Sequence, residues 1–164
     1  MAKKYTRGKL AVLQIALAAS ATPDVLPKAA DRKQLLATNS IKIGFGSTSV
    51  DFQNFASGGS TVKVPTGKEP RMEVGEAQWT DDDTSLQDME KAAREDLEVW
   101  YVYYPLGVAA GKGYYGKMNV SEWDITSPSD GLNNVTHALE PVGLPIPFGF
   151  PHLADNVAAA TVSA

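Results

Sequence analysis

Gly116-Lys117-Met118-Asn119-Val120-Ser121-Glu122-Trp123-Asp124-Ile125-Thr126 alternates with a period of two and slips once. Met118 and Val120 share one face, and Lys117, Asn119 and Ser121 the other. At Ser121-Glu122 the phase shifts by one residue, so Trp123 and Ile125 rejoin the apolar set and Asp124 and Thr126 the polar set. One extra residue in mid-strand is a β-bulge, which bends a strand and tightens its twist. Ser127-Pro128-Ser129-Asp130-Gly131 follows, dense in turn formers. Asn133 to Pro141 then alternates again, with Asn134, Thr136 and Glu140 against Val135 and Leu139. The pattern predicts a long bent hairpin, apolar on one face and wet on the other.

Working outward, Arg71 to Trp79 has the same logic. Met72 and Val74 lie on one face, the phase slips near Gly75-Glu76, and Ala77 and Trp79 return to the apolar side. Two bent strands of one pattern are expected to pair across a sheet, apolar faces together. Thr84-Ser85-Leu86-Gln87 reads as a capping box opening a helix from Thr84 to Leu97, with Asp81, Asp82 and Asp83 at the positive end of its dipole. Leu86, Met89, Ala93 and Leu97 form its stripe, and Glu90–Arg94 and Lys91–Glu95 its i,i+4 pairs. Val99 to Tyr104 is a strand apolar on both faces, so it needs cover on each side, from its own domain or from another copy. Lys9 to Ala18 reads as a largely buried strand. Its basic start and Ala19-Ser20-Ala21 imitate a secretory leader, but Gln14 interrupts the apolar run.

Residues 21–39 hold Pro23 and Pro27 and read either as a connecting arm or as one short helix. Ile41, Ile43 and Phe45 give a second strand. From Ser47 to Gly67 the chain turns small and polar, long for a loop inside one domain. Val50, Phe52, Phe55, Val62 and Val64 argue against disorder there, and a hairpin-like excursion ordered against a neighbour fits them better. After Pro141 come Pro145, Pro147 and Pro151, with Phe148 and Phe150, then Ala158 to Ala164. That is too much proline for a strand and too little polarity for a free tail, so a docking arm is expected.

A chain of 164 residues, 43% apolar and 21% charged, is most simply one globular domain. The absence of cysteine excludes a disulfide scaffold and thiolate-ligated metal. Charge is uneven. Residues 1–40 carry seven basic and two acidic side chains, and the remainder eight basic and 17 acidic, balances of +5 and −9. A basic arm on an acidic body points either to nucleic acid or to an arm lying on the next copy; the second is preferred, since an acidic body repels phosphates.

Catalytic and cofactor motifs are set aside on physical grounds. Gly111-Lys112-Gly113-Tyr114-Tyr115-Gly116 has the letters of a dinucleotide fingerprint, but a strand follows where a helix N-terminus is required. His137 and His152 have no partner at metal-ligand spacing, and no serine sits in a nucleophile elbow. Trp79, Trp100 and Trp123 suggest a sugar platform, against which core packing is the default. No catalytic, cofactor or metal residue is assigned.

The order of elements, with Gly116-Lys117 and Ser121-Glu122-Trp123-Asp124-Ile125, resembles the major tail tube protein of long-tailed bacteriophages, a fold shared with contractile-tail and type VI secretion tubes. The resemblance covers about residues 5–143. It implies a mainly β protein with one α-helix: two packed antiparallel sheets in a β-sandwich or barrel, an outer helix, a long loop and extended termini. The tail-tube domain would span 1–143, with an N-terminal arm (1–8), an inter-element arm (21–39) and a stacking-type loop (47–67); 144–164 would be a C-terminal extension. Copies would form stacked hexameric rings around an acidic conduit for DNA, in a virion assembled in the host cytoplasm without a membrane. Tape measure, tail terminator and distal tail proteins would be its partners. Glu73, Glu76, Gln78, Asn119, Glu122, Asp124, Asn134, Thr136 and Glu140 become lumen candidates. Lys3, Lys4, Arg7, Val50, Phe52, Phe55, Val62 and Val64 become contacts between subunits or rings. The rival from another class is a secreted β-sandwich module that binds carbohydrate or protein.

Overall fold

Alternating apolar runs become eight strands in the computed structural model, which describes residues 11–19, 22–35, 40–52, 62–79 and 83–163. They are β1 (Val12–Leu17), β2 (Lys33–Gln34), β3 (Ile41–Phe52), β4 (Val62–Val74), β5 (Ala77–Gln78), β6 (Val99–Tyr104), β7 (Gly113–Thr126) and β8 (Asn134–Phe148). Helix α1 (Thr84–Glu95) precedes β6, and a short α2 (Ala159–Ser163) lies near the end of the chain. The strands form a curled six-stranded antiparallel half-barrel in the order β2-β1-β6-β7-β8-β5, and a separate β3-β4 hairpin.

The bulge in β7 is where the alternation slips. Val120 pairs with Leu139 and Glu122 with Ala138, which leaves Ser121 as the extra residue. Met118, Val120, Val135, His137 and Leu139 are therefore buried, and Trp123 is half-buried. A second irregularity separates Tyr115 from Lys117. Between them Gly116 passes over Tyr101, where a Cβ would meet the phenol oxygen at 2.9 Å.

β8 does not stop near Pro141. It runs on to Phe148 through Pro145 and Pro147, against the expectation that the prolines forbid a strand. The reason is visible at Pro147, whose carbonyl accepts from the Val157 amide at 2.9 Å. Its backbone polar side points away from β7, so the missing N–H breaks no ladder bond.

The slip at Gly75-Glu76 is not a bulge within one strand. There the chain leaves one sheet for the other: Val74 pairs with Ile41 in the hairpin, and Ala77 pairs with Val135 in the half-barrel. Nor does this segment pair with β7; β8 lies between them. Trp79 and Trp123 do meet, edge to face with centroids 6.3 Å apart, and Met72 and Ala77 share the core with Met118 and Val120. The polar stretch from Ser47 to Gly67 supplies the distal halves of β3 and β4, so the excursion is a hairpin; residues 53–61 lie outside the described residues. Residues 22–35 contain a 3-10 turn at Ala29–Asp31 and then β2, not an α-helix.

Helix α1 is capped by Asp83 rather than by the expected Thr84. The Asp83 carboxylate accepts from the Ser85 amide at 3.0 Å and the Leu86 amide at 3.3 Å, satisfying two of the helix's free donors. The helix ends at Asp96 in the left-handed region, φ 52°. Leu86, Met89 and Ala92 are buried against the sheet, with Ala93 and Leu97 half-buried beside them. Burying Leu86 and Met89 contributes about 2 kcal/mol each. Leu13, Ile15, Val99, Tyr101, Met118 and Val120 complete this core.

The second face of β6 is also covered from within the chain. Val102, Tyr104 and Phe148 pack with Val162, flanked by Val157 and Ala159. The segment beyond Phe148 is thus a docked strap, and the two-faced strand needs no neighbour to cover it.

Candidate assembly surfaces

Cross-strand register decides which polar side chains share a face. Opposite the α1 core, Asn119 stands across from Glu140, and Asp124 across from Thr136. Asn134 stands across from both Thr126 and Gln78, and Glu122 from Ala138. Seven of the nine lumen candidates, Gln78, Asn119, Glu122, Asp124, Asn134, Thr136 and Glu140, therefore lie on one face of the half-barrel. All are exposed except Asn134, which is half-buried.

Glu73 and Glu76 sit elsewhere. Glu73 is on the hairpin, where Lys42 donates to both its oxygens at 2.9 Å, and Glu76 is exposed in the link between the sheets. β4 runs alongside β8, so the two sets adjoin without sharing a ladder.

The contacts of one residue on the polar face escaped sequence reasoning. The Lys117 ammonium donates to Asp24 at 2.7 Å and Glu98 at 2.9 Å, and lies 5.4 Å from the Trp100 ring centroid. These two carboxylates, Asp24 foremost, hold its pKa above the ordinary lysine value. Trp100 Nε1–H donates to the Pro23 carbonyl at 3.2 Å. Together these contacts tie the 22–27 segment across β6 and β7. Nothing in local sequence pairs Asp24 with a lysine 93 positions away.

On the hairpin, Val50 and Val64 are cross-strand partners, 57% and 47% exposed. Phe52 and Val62 pair in backbone register beside them. Lys3, Lys4, Arg7 and Phe55 lie outside the described residues. Phe45 is a further exposed apolar side chain, at 58%, with the Lys68 ammonium 5.2 Å from its ring centroid. From Phe45 to Phe52 the hairpin extends roughly 25 Å beyond the packed base formed by Ile41, Ile43 and Met72. Val142, Leu144 and Ile146 are also exposed on β8.

The tryptophans form no platform: Trp79 and Trp123 pack on each other against the core, and Trp100 is buried beside Tyr115. His137 is buried opposite Trp123, with neither ring nitrogen hydrogen-bonded, and burial lowers its pKa. His152 is exposed beside Phe150. Among the described residues no three His, Asp or Glu side chains are grouped as metal ligands, and no helix is long and apolar enough to cross a membrane.

No protein-family model and no curated protein matches the sequence. Solved structures do match. A chain in the tail of an empty gene transfer agent particle, determined by helical refinement in C6 symmetry, superposes with a TM-score of 0.62 at 13% identity, covering 86% of this chain and 97% of that one. A chain of the native gene transfer agent virion gives 0.61 at 14% identity with the same coverage. The SPP1 tail tube gives 0.61 at 12% identity, covering 98% of this chain and all of that one. At these identities the likeness is one of fold alone: the chain shares its architecture with subunits of those tails.

Proposed function

We propose that this chain is the repeating structural subunit of a phage-type tail tube, closing into hexameric rings that stack around a conduit for double-stranded DNA. The observation that carries this reading is an unfinished surface: a sheet curled only half-way round, with a wet acidic face and a projecting hairpin whose Val50–Val64 pair faces solvent. Copies placed side by side extend the half-barrel into a closed one and remove its edges. The polar face then lines the lumen. The hairpin reaches the next subunit or ring.

The chemistry is passive. Glu122, Asp124 and Glu140 are exposed on that face and form no ion pair with a described residue. A cationic lining would hold phosphates by counterion release, whereas an acidic one lets them pass. No catalytic step is assigned. The subunit acts in the virion tail, in contact with tape measure, terminator and distal tail proteins.

Negative-stain microscopy of the purified full chain over rising concentration tests this. Six-fold rings or hollow cylinders are expected. A monomer that stays single at millimolar concentration overturns the proposal, and glycan binding by that monomer would favour a secreted binding module instead. With the tryptophans packed inward, no observation favours that module.

A further inference from the structure

Among the described residues Arg32 is the only buried cationic side chain, at 7% exposure. It follows the Ala29–Asp31 turn, and its Nη2 donates to the carbonyl of Val162 in α2. Its Nε and Nη1 are buried with no hydrogen-bond partner. A guanidinium presents a planar fork that matches the two oxygens of a carboxylate. One carbonyl near the end of a five-residue helix answers only part of that demand.

The helix is nonetheless held in place. Val162 is fully buried against Val102, Tyr104 and Phe148. Upstream, the strap turns at Gly149 (φ +71°), where a Cβ would meet the Gly111 carbonyl oxygen at 2.2 Å. It is fastened by Gly149 N–H to the Val157 carbonyl at 3.1 Å, and by Phe150 N–H to Asn156 Oδ1 at 2.6 Å. Apolar contact thus favours closure of α2, while the unpaired donors beneath it oppose closure. Balanced in this way, α2 belongs to the least stable part of the molecule.

We propose that α2 is a displaceable plug over Arg32. In the free subunit it shields the guanidinium; in the assembled tube a carboxylate side chain of a neighbouring copy takes the place of the Val162 carbonyl. The idea rests on the tail-tube reading above. Charge complementarity selects the occupant, since residues 41–164 hold 17 acidic side chains against eight basic ones. Assembly then supplies what the free subunit lacks, a bidentate partner for the Arg32 guanidinium.

Three measurements test this on the full chain. Arg32→Met keeps length and apolar contact while removing the charge, and Arg32→Lys keeps a charge without the fork. Below the concentration at which light scattering detects assembly, Arg32→Met should melt about 4 °C higher than wild type. Its tubes should grow at least tenfold more slowly, with Arg32→Lys in between. Independently, the amides of 159–163 should exchange hydrogen faster in wild-type tubes than in free wild-type subunits. Tubes of Arg32→Met that grow at the wild-type rate overturn the plug, as does equal or greater protection of α2 in wild-type tubes. Should the variant fail to fold, the wild-type exchange measurement decides alone. Wild-type chain that forms no tubes at all overturns the tail-tube reading instead.

Discussion

Ser121 changes the face of every residue that follows it in β7, because the ladder to β8 counts two residues against one at that point. Trp123 is thereby turned inward to stand across from His137, which is 8% exposed. The imidazole meets Trp123 from β7, whose charged neighbours Glu122 and Asp124 lie on the opposite face; Trp79, beyond β5, packs on the same indole. With neither nitrogen paired, protonation puts a charge into an apolar site, and the folded pKa lies below the usual histidine value. The unfolded chain then binds more protons than the folded one in that range. Stability from this group is complete above about pH 6.5 and is lost as pH falls from there toward the depressed folded pKa. The loss cannot exceed about 1.4 kcal/mol per pH unit. Thermal melting at pH 7.5 and 5.5 should show a drop in wild type that is smaller in His137→Phe. An equal drop in both would assign the acid sensitivity to other groups.

Among the elements, the β3–β4 hairpin most needs a partner. Two strands alone are marginally stable in water, and this pair projects its distal half clear of the body. If Val50 and Val64 are contact residues, replacing them with an oppositely charged cross-strand pair, Val50→Lys with Val64→Glu, keeps the hairpin's own pairing and removes its apolar patch. The monomer should melt within about 2 °C of wild type, since both positions are exposed. Tube yield by sedimentation should fall at least tenfold; wild-type yield would remove the hairpin from the interface. Most of this architecture was legible beforehand, because period-two alternation with a slip is a local signal. The slips at Ser121 and at Gly75 were both readable, yet only the ladder distinguishes a bulge from a crossing between sheets. Pro145 and Pro147 misled because proline forbids a strand only where its N–H would face a partner, which one strand alone does not reveal. Asp83 and Thr84 are both competent caps, so helix existence was clear where its first residue was not. The contacts of Arg32 and Lys117 carried no local signal: Arg32 meets the Val162 carbonyl 130 positions away, and Lys117 meets Asp24 93 positions away.

For the whole molecule, the question is whether the polar face of the half-barrel lines a conduit. Register places Glu122, Asp124 and Glu140 together on that face, while Glu73 is paired with Lys42 on the hairpin, so the first three carry the test. Each is solvent-exposed, and none is held by a described cation, so replacing all three with lysine leaves packing untouched. In a six-fold ring the change shifts the net charge by about +36, because each substitution shifts one subunit by two. DNA in such a bore would meet a surface that captures phosphates and releases them with a steep salt dependence. The triple variant should assemble into tubes of normal dimensions. Particles carrying them should eject DNA at least tenfold more slowly at low ionic strength, the deficit shrinking as salt rises and screening shortens the reach of each charge. Normal tubes with an unchanged, salt-independent ejection rate would move the face away from the lumen. Failure to assemble at all would place those carboxylates between subunits.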